Sequence, residues 1–476
     1  MSAPRLGAAA LLALALPARA GLPPRYGGEI GVALSAAPGD LDPARAGTPA
    51  ELLAARAVHA TLVEVDASGA PRPGLLASLP EPEAGGRAFR LRLRPGLRFH
   101  SGAPLLAADV AASLLRLASP ATRSPHGWIV LPVKGAEEVL AGRATALSGV
   151  QVLSEAELRV ELESPFPAFP EALAAIPAAV ARAADPADGA GPFRLGGDVP
   201  GGRRLLAFDG SFRGRPFADA LRLVGQDARR AARAFARGEV DLVVRPEAVA
   251  GAAAATPLPA VAATWVLVEA RRLPGQAAAV RDALASVSRA ELCRFVRGPA
   301  VPLGSPLPPA LWPGEAPPAQ APPAPPPRPG RRLSLLLSTS DAARAVADRL
   351  QVKLFDLGVR VAVEAVGPEA FSARLAAGEF DLALLTRTLA APTPAAAALE
   401  VAWALGGPAA ARRALSRLAG ADPGAVAAEA AAEALAVPLL GTGLTASARA
   451  GLHGLQPLRD GGLDPGELWT LPAVAP

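Results

Sequence analysis

The chain has 476 residues, half of them hydrophobic, with 52 Pro, 47 Gly, one Cys and only 4 % aromatics. That length supports two or three domains with their own cores, and so much Pro and Gly demands frequent turns. The formal charge of +5 is almost all Arg, Lys134 and Lys353 being the only lysines, and charges of both signs are interspersed; this excludes a basic arm for nucleic acid.

The first segment, MSAPRLGAAALLALALPARAG, places Arg5 before the apolar run Gly7 to Leu16 and then Ala18-Arg19-Ala20. That is the three-part pattern of a secretory signal, and the run is too short to cross a bilayer, which needs about 20 residues. We expect residues 1–20 to be a signal peptide cleaved after Ala20, giving an exported, periplasmic chain. Cys293 is the only cysteine, so no disulfide framework and no lipid-bearing Cys after the signal is expected.

GGEIGVALSAAPGDLDP reads as a short strand, Ile30 to Leu34, running into a loop of Pro, Gly and Asp. Residues 51–63 carry apolar positions at helical spacing. AFRLRLRPG alternates strictly, Phe89, Leu91 and Leu93 against Arg90, Arg92 and Arg94, and predicts a half-buried strand closed by Pro95-Gly96. Residues 150–163 predict a hairpin turning at Ser154 to Glu157, and GAGPFRL and RRLLAF two further strands. DARRAARAFARGEVDLVV then predicts a helix ended by Gly238 and a buried strand. Residues 331–385 repeat that plan as strand, helix, strand, helix, strand, which implies a partly parallel α/β sheet. Between these units the Pro-rich stretch 299–330 reads as a surface excursion.

No metal or catalytic constellation emerges. The four histidines, His59, His100, His126 and His453, lack any paired ligand spacing, and neither a nucleophile elbow nor a phosphate loop is present. In RPGLRFHSGAPLLAADVAASLLRL, Gly102-Ala103-Pro104 makes a turn. Val110, Leu114 and Leu117 then share a helical face, with Asp109 in the first turn, where its charge suits the helix dipole. His100 and Asp109 read as scaffold, and the chain as no enzyme, with no cofactor.

The same stretch, Pro-Gly-x-x-Phe-His-x-Gly-x-Pro-Leu-x-Ala-x-Asp-Val, resembles the signature of the family 5 extracellular solute-binding proteins. GGEIGVALSAAPGDLDP, GAGPFRL, FDGSFRGRPFADALRL, AFARGEVDLV and FSARLAAGEFDLALL follow in the family's order, over about residues 27–457. The resemblance implies an α/β, two-lobe periplasmic-binding-protein-like fold with a hinge, whose lobes close over a ligand and dock on an ABC permease in the inner membrane. It implies a first lobe of residues 27–262 and 437–476, an extra subdomain of 59–179 within it, and a second lobe of 263–436. The ligand implied is a short peptide or peptide-like compound, and the receptor is expected to be a monomer. A nickel chelate or haem would need His100 or His59 in the cleft.

Departures from the family pattern keep a second reading open, an exported interaction or regulatory protein that retains the lobes without transport binding. Leu106 stands at the helix N-cap. TRTLAAPTPAA lacks the acid that pairs with a peptide's amino group in peptide receptors, and carries Arg387 instead. Facing the cleft, Arg387 would suit a carboxylate or phosphate; facing solvent, it is one more Arg. Trp265, Glu269 and Trp403 are candidates near the hinge or cleft, where a Trp either stacks on ligand or packs in the core. Asp40 and Asp42 either face the cleft or shape their turn.

Overall fold

The computed structural model describes residues 23–66, 68–312, 332–339 and 341–471. The expected signal peptide, and residues 313–331 of the Pro-rich stretch, lie outside the described residues. Two open sheets form the framework, one of seven strands and one of six.

The seven-stranded sheet is built on Glu29–Leu34, with Ala220–Gly225 and Leu242–Arg245 parallel to it on either side. Ile30, Val32 and Leu34 pack into one apolar layer and Ala33 into another. Burial on both faces is why the strand reads as an unbroken apolar run. The hairpin of Phe193–Val199 and Gly202–Ala207 adds one antiparallel edge; Thr445–Ala448 and Ala254–Pro257 add the other. The helix after the first strand, Pro49–Val58, starts at Thr48, whose hydroxyl accepts from the Glu51 amide while the Glu51 carboxylate accepts from the Thr48 amide. This reciprocal cap sets the helix start two residues ahead of the periodic apolar run.

The chain leaves for the subdomain at Ala60 and returns at Val180, and those two residues are bridged. Between them lies a four-stranded antiparallel sheet containing Ala88–Arg92, Glu157–Glu161 and Val150–Ser154. Phe89 and Leu91 point inward, while Arg90 and Arg92 pair outside with Glu83 and Glu157. The helix Ala107–Ala118 buries Val110, Leu114 and Leu117 in the same core, each contributing about 1.5–3 kcal/mol.

In the six-stranded sheet, Ala262–Val268 lies between Leu382–Thr388 and Ala436–Thr442, antiparallel to both. Leu333–Ser338 and Val361–Val366 continue it in parallel. The strand Ala436–Thr442 therefore belongs to this sheet, and the chain returns to the first sheet after Thr442 rather than at 437. Sequence pattern could not show this, because VPLLGTGLTASA is one apolar run across both strands. Helices Ala277–Ser286 and Asp341–Asp356 cover one face. Pro394–Leu418 and Pro423–Glu433 cover the other, and their apolar layer is continuous with Trp128 and Ile129 of the subdomain. Among the described residues no helix is long and apolar enough to cross a membrane.

Gly225, at the end of its strand, passes so close to the loop after the first strand that an added Cβ would sit 2.0 Å from the Ala37 amide nitrogen. Gly225→Ala is expected to lower stability by about 1–3 kcal/mol, as overpacking does, because backbone and not a flexible side chain must yield. Urea unfolding would show this as a lower midpoint at unchanged slope.

Candidate functional site

The carboxyl ends of strands Glu29–Leu34 and Leu242–Arg245 face the two segments on which the chain crosses between sheets. Ligands commonly bind at such strand ends in open α/β sheets. Here they enclose a cavity of about 420 Å³, a size typical of small-molecule sites. Leu34, Ser35 and Val244 wall it from the first sheet, Leu52 and Leu53 from the helix Pro49–Val58, and Val261, Thr388, Thr442 and Leu444 from the crossings and second sheet. The lining is chiefly aliphatic, relieved by the hydroxyls of Ser35, Thr48, Thr388 and Thr442, by Arg297, which pairs with Glu247 at 3.6 Å, and by the ion pair of Arg56 with Asp460. A second cavity of about 80 Å³ shares Arg56, Ile176 and Asp460 with it.

The six residues singled out in the sequence fall in several places. Asp40 is on the surface, paired with Arg45 at 2.8 Å. Asp42 is buried, accepts from the Ala44 amide at 3.1 Å and pairs with Arg116 of the subdomain helix. Burial pushes its carboxyl up, with Arg116 acting against that. Asp42 thereby fastens the loop after the first strand to the subdomain. Trp265 is fully enclosed in the apolar layer beneath Pro394–Leu418. Glu269 lies beyond the far end of strand Ala262–Val268, about 20 Å along it from Ala262 at the cavity. It pairs with Arg271 at 2.8 Å, which draws its carboxyl down.

Arg387 and Trp403 are brought together. With His126, Glu400 and Gly47 they border a gap of about 10 Å³, between the second sheet's helix Pro394–Leu418 and the subdomain. Trp403 lies over Gly127, where a Cβ would come within 2.6 Å of its ring. Burial disfavours the charge on Arg387, and Glu400 opposes that effect. Glu400 itself is buried and accepts from the Ala390 amide at 2.9 Å and the Ala391 amide at 2.9 Å. Burial pushes its carboxyl up to about 7, against those amides and Arg387. His126 donates from Nε2 to the Ala46 carbonyl at 2.7 Å, and burial lowers its pKa to about 4. Its ring is therefore neutral, 4.0 Å from Glu400. Sequence reasoning missed Glu400, since one acid in an Ala-rich helix looks solvated and only tertiary packing encloses it.

His100 donates from Nε2 to the Gly191 carbonyl at 3.1 Å and meets Phe208 edge-on at 4.8 Å. Asp109 accepts from the Leu106 amide at 2.9 Å, and the Leu106 side chain caps nothing. His59 touches the smaller cavity, but its Nε2 is held by the Leu41 carbonyl at 2.7 Å. Among the described residues no group of three or more His, Cys, Asp or Glu side chains could hold a metal ion.

Two α/β lobes enclosing a cavity at their crossings define a ligand-binding receptor fold of the periplasmic-binding-protein kind. The profile of the bacterial extracellular solute-binding proteins, family 5 Middle, matches residues 70–404, and the chain belongs to that family, whose members bind solutes rather than catalyse. The periplasmic murein peptide-binding protein MppA of Escherichia coli is 29% identical over 135 residues, 28% of this chain and 25% of that protein. The probable deoxycholate-binding periplasmic protein YgiS of Escherichia coli is 32% identical over 140 residues, 29% of this chain and 26% of that protein. These alignments thus span about a quarter of the curated relatives' length. Whole-chain likeness is clearer in structure. The murein tripeptide binding protein MppA of Escherichia coli superposes with a TM-score of 0.75 at 18% identity, over 93% of this chain and 98% of that one. NikA of Brucella suis, in complex with Fe(III)-EDTA, gives 0.74 at 18% identity, over 93% and 100%.

The raised pKa of Glu400 has a definite sign. An unfolded glutamate ionises near the ordinary 4.5, whereas the folded one holds its proton to about 7. Stability from this group is full below the unfolded value and falls as pH rises to the folded one, by about 3 kcal/mol. Glu400→Gln keeps an acceptor for the two amides and removes the titration. Its melting temperature relative to wild type is expected to climb between about pH 4.5 and 7 and then level off; a flat difference would place Glu400 in a more polar setting.

Proposed function

We propose that this chain is an exported, periplasmic receptor that captures a small solute between its lobes and presents it to an ABC permease by hinge closure. The observation that carries this reading is the cavity of about 420 Å³, to which both sheets contribute at the two crossings. A rotation about those crossings opens or closes its walls together, so ligand contacts to both lobes favour the closed state. The same cavity speaks for a receptor over an interaction protein that has lost its site.

Two ligand readings have specific support. A short peptide or peptide-like compound is favoured by the likeness to proteins described as binding murein peptide and oligopeptide. Against a free peptide amino terminus stands the run Leu389-Ala390-Ala391-Pro392, which offers no carboxylate at the cavity edge. A compact, largely apolar solute is favoured by the aliphatic lining, and one relative is described as a probable deoxycholate-binding protein.

Thermal unfolding of residues 21–476 with tripeptides, blocked tripeptides and deoxycholate tests this. A cognate solute at about a hundred times its Kd adds about 2.7 kcal/mol, a readily measured rise in Tm. Ser35 is exposed to the cavity, so Ser35→Trp is expected to fill it, leave the ligand-free Tm near wild type and abolish the rise. A rise that survives Ser35→Trp would put the ligand elsewhere.

A further inference from the structure

The smaller cavity differs from the chamber it adjoins. Where the chamber is aliphatic, this annex of about 80 Å³ is lined by four guanidinium groups, Arg56, Arg72, Arg213 and Arg459, and four carboxylates, Glu64, Asp66, Asp460 and Asp464. Three of the guanidinium groups are committed. Arg56 pairs with Asp460, Arg72 with Glu64 at 3.1 Å, and Arg213 with Glu64 at 2.8 Å and Asp464 at 2.7 Å. Asp66 accepts from the Ser68 hydroxyl at 2.6 Å and from the amides of Ser68 and Ala70. Arg459 is the exception, with no ion pair or side-chain hydrogen bond among the described residues.

Arg459 is half-buried, and one guanidinium nitrogen lies 2.6 Å from where a Cβ on Gly69 would stand. The bare backbone of Gly69, at φ 91°, leaves it that place. A guanidinium carries five donors in a fixed fork suited to a carboxylate. Withdrawing such a cation from water without a partner is unfavourable, and an entering anion would reverse the cost. Arg56, shared by both cavities, stands at the junction and can turn a donor toward the same anion without leaving Asp460.

We propose that the annex is the anion subsite of the ligand chamber: Arg459, assisted by Arg56, receives the carboxylate of a solute whose apolar body fills the larger cavity. The solute class is thus an apolar monocarboxylate. This rests on the receptor reading above and narrows it. An unblocked amino group is not part of the recognition, since the one carboxylate common to both cavities, Asp460, is held by Arg56 and by the Gly462 amide at 3.1 Å.

The test uses two fluorescent probes with the same aromatic body, anionic anilinonaphthalene sulfonate and neutral N-phenylnaphthylamine, both of which brighten in apolar cavities. Wild type is expected to bind the anionic probe about tenfold more tightly, the scale of one charge-assisted hydrogen bond. Arg459→Gln should erase that preference while leaving the neutral probe's affinity unchanged, which also reports an intact chamber. Arg459→Lys should restore part of it. Equal binding of both probes by wild type, or an anion preference that survives Arg459→Gln, would overturn the subsite while leaving the receptor reading standing. Failure of both probes to bind folded wild type would instead sink the chamber, and the subsite with it.

Discussion

The hydrogen bond from the Leu258 amide to the Leu444 carbonyl, at 2.7 Å, holds the outgoing and returning chain crossings side by side. On one side of it Ala254–Pro257 and Thr445–Ala448 pair in the first sheet; on the other Ala262–Val268 and Ala436–Thr442 pair in the second. Two strands linked through both sheets make a narrow antiparallel ribbon, and a ribbon with so few bonds between its sheet-bound ends can flex there while each sheet stays intact. The cavity lies where this ribbon meets the carboxyl ends of the first sheet's parallel strands. Its position thus follows from topology before any side chain is chosen.

A second contact between the lobes has a different character. Helix Pro394–Leu418 presses on the subdomain through an apolar layer, at which Glu400 and His126 are buried and Arg387 is half-buried. Arg412 on the same helix pairs with Glu137 of the subdomain. A neutral His126 and a Glu400 whose oxygens are taken by the Ala390 and Ala391 amides leave Arg387 weakly compensated. Charges buried in this way add little net stability, because desolvation offsets attraction.

Sequence and structure agree where local chemistry decides and part where distance does. The alternation from Phe89 to Arg94, the Gly-ended helices and the strand at Ile30 to Leu34 were legible because period and caps are local signals. His100 and Asp109 were legible as scaffold for the same reason, and the structure puts them on the Gly191 carbonyl and the Leu106 amide. The boundary at 437 was not, since one apolar run serves two sheets. Nor were Arg56, Asp460 and Arg459, which meet at the cavities from helix Pro49–Val58 and from a loop some 400 residues later. Single charged residues in an Arg-rich chain carry no spacing that marks them. Among the six candidates, Asp42 and Trp265 are explained by a capped turn and a packed core, whereas Arg387 and Trp403 meet at the contact between the lobes.

Hinge closure as proposed would move the two sheets as bodies about the crossing ribbon when a solute enters. Spin labels placed on Arg229 of the first lobe and Phe355 of the second, in a background with Cys293→Ser, would read the distance between them by pulsed electron resonance. Without ligand, a broad or long distribution is expected; with any solute that raises Tm, a single narrower and shorter one. An unchanged distribution with solute bound would contradict closure and leave a rigid binding protein in its place.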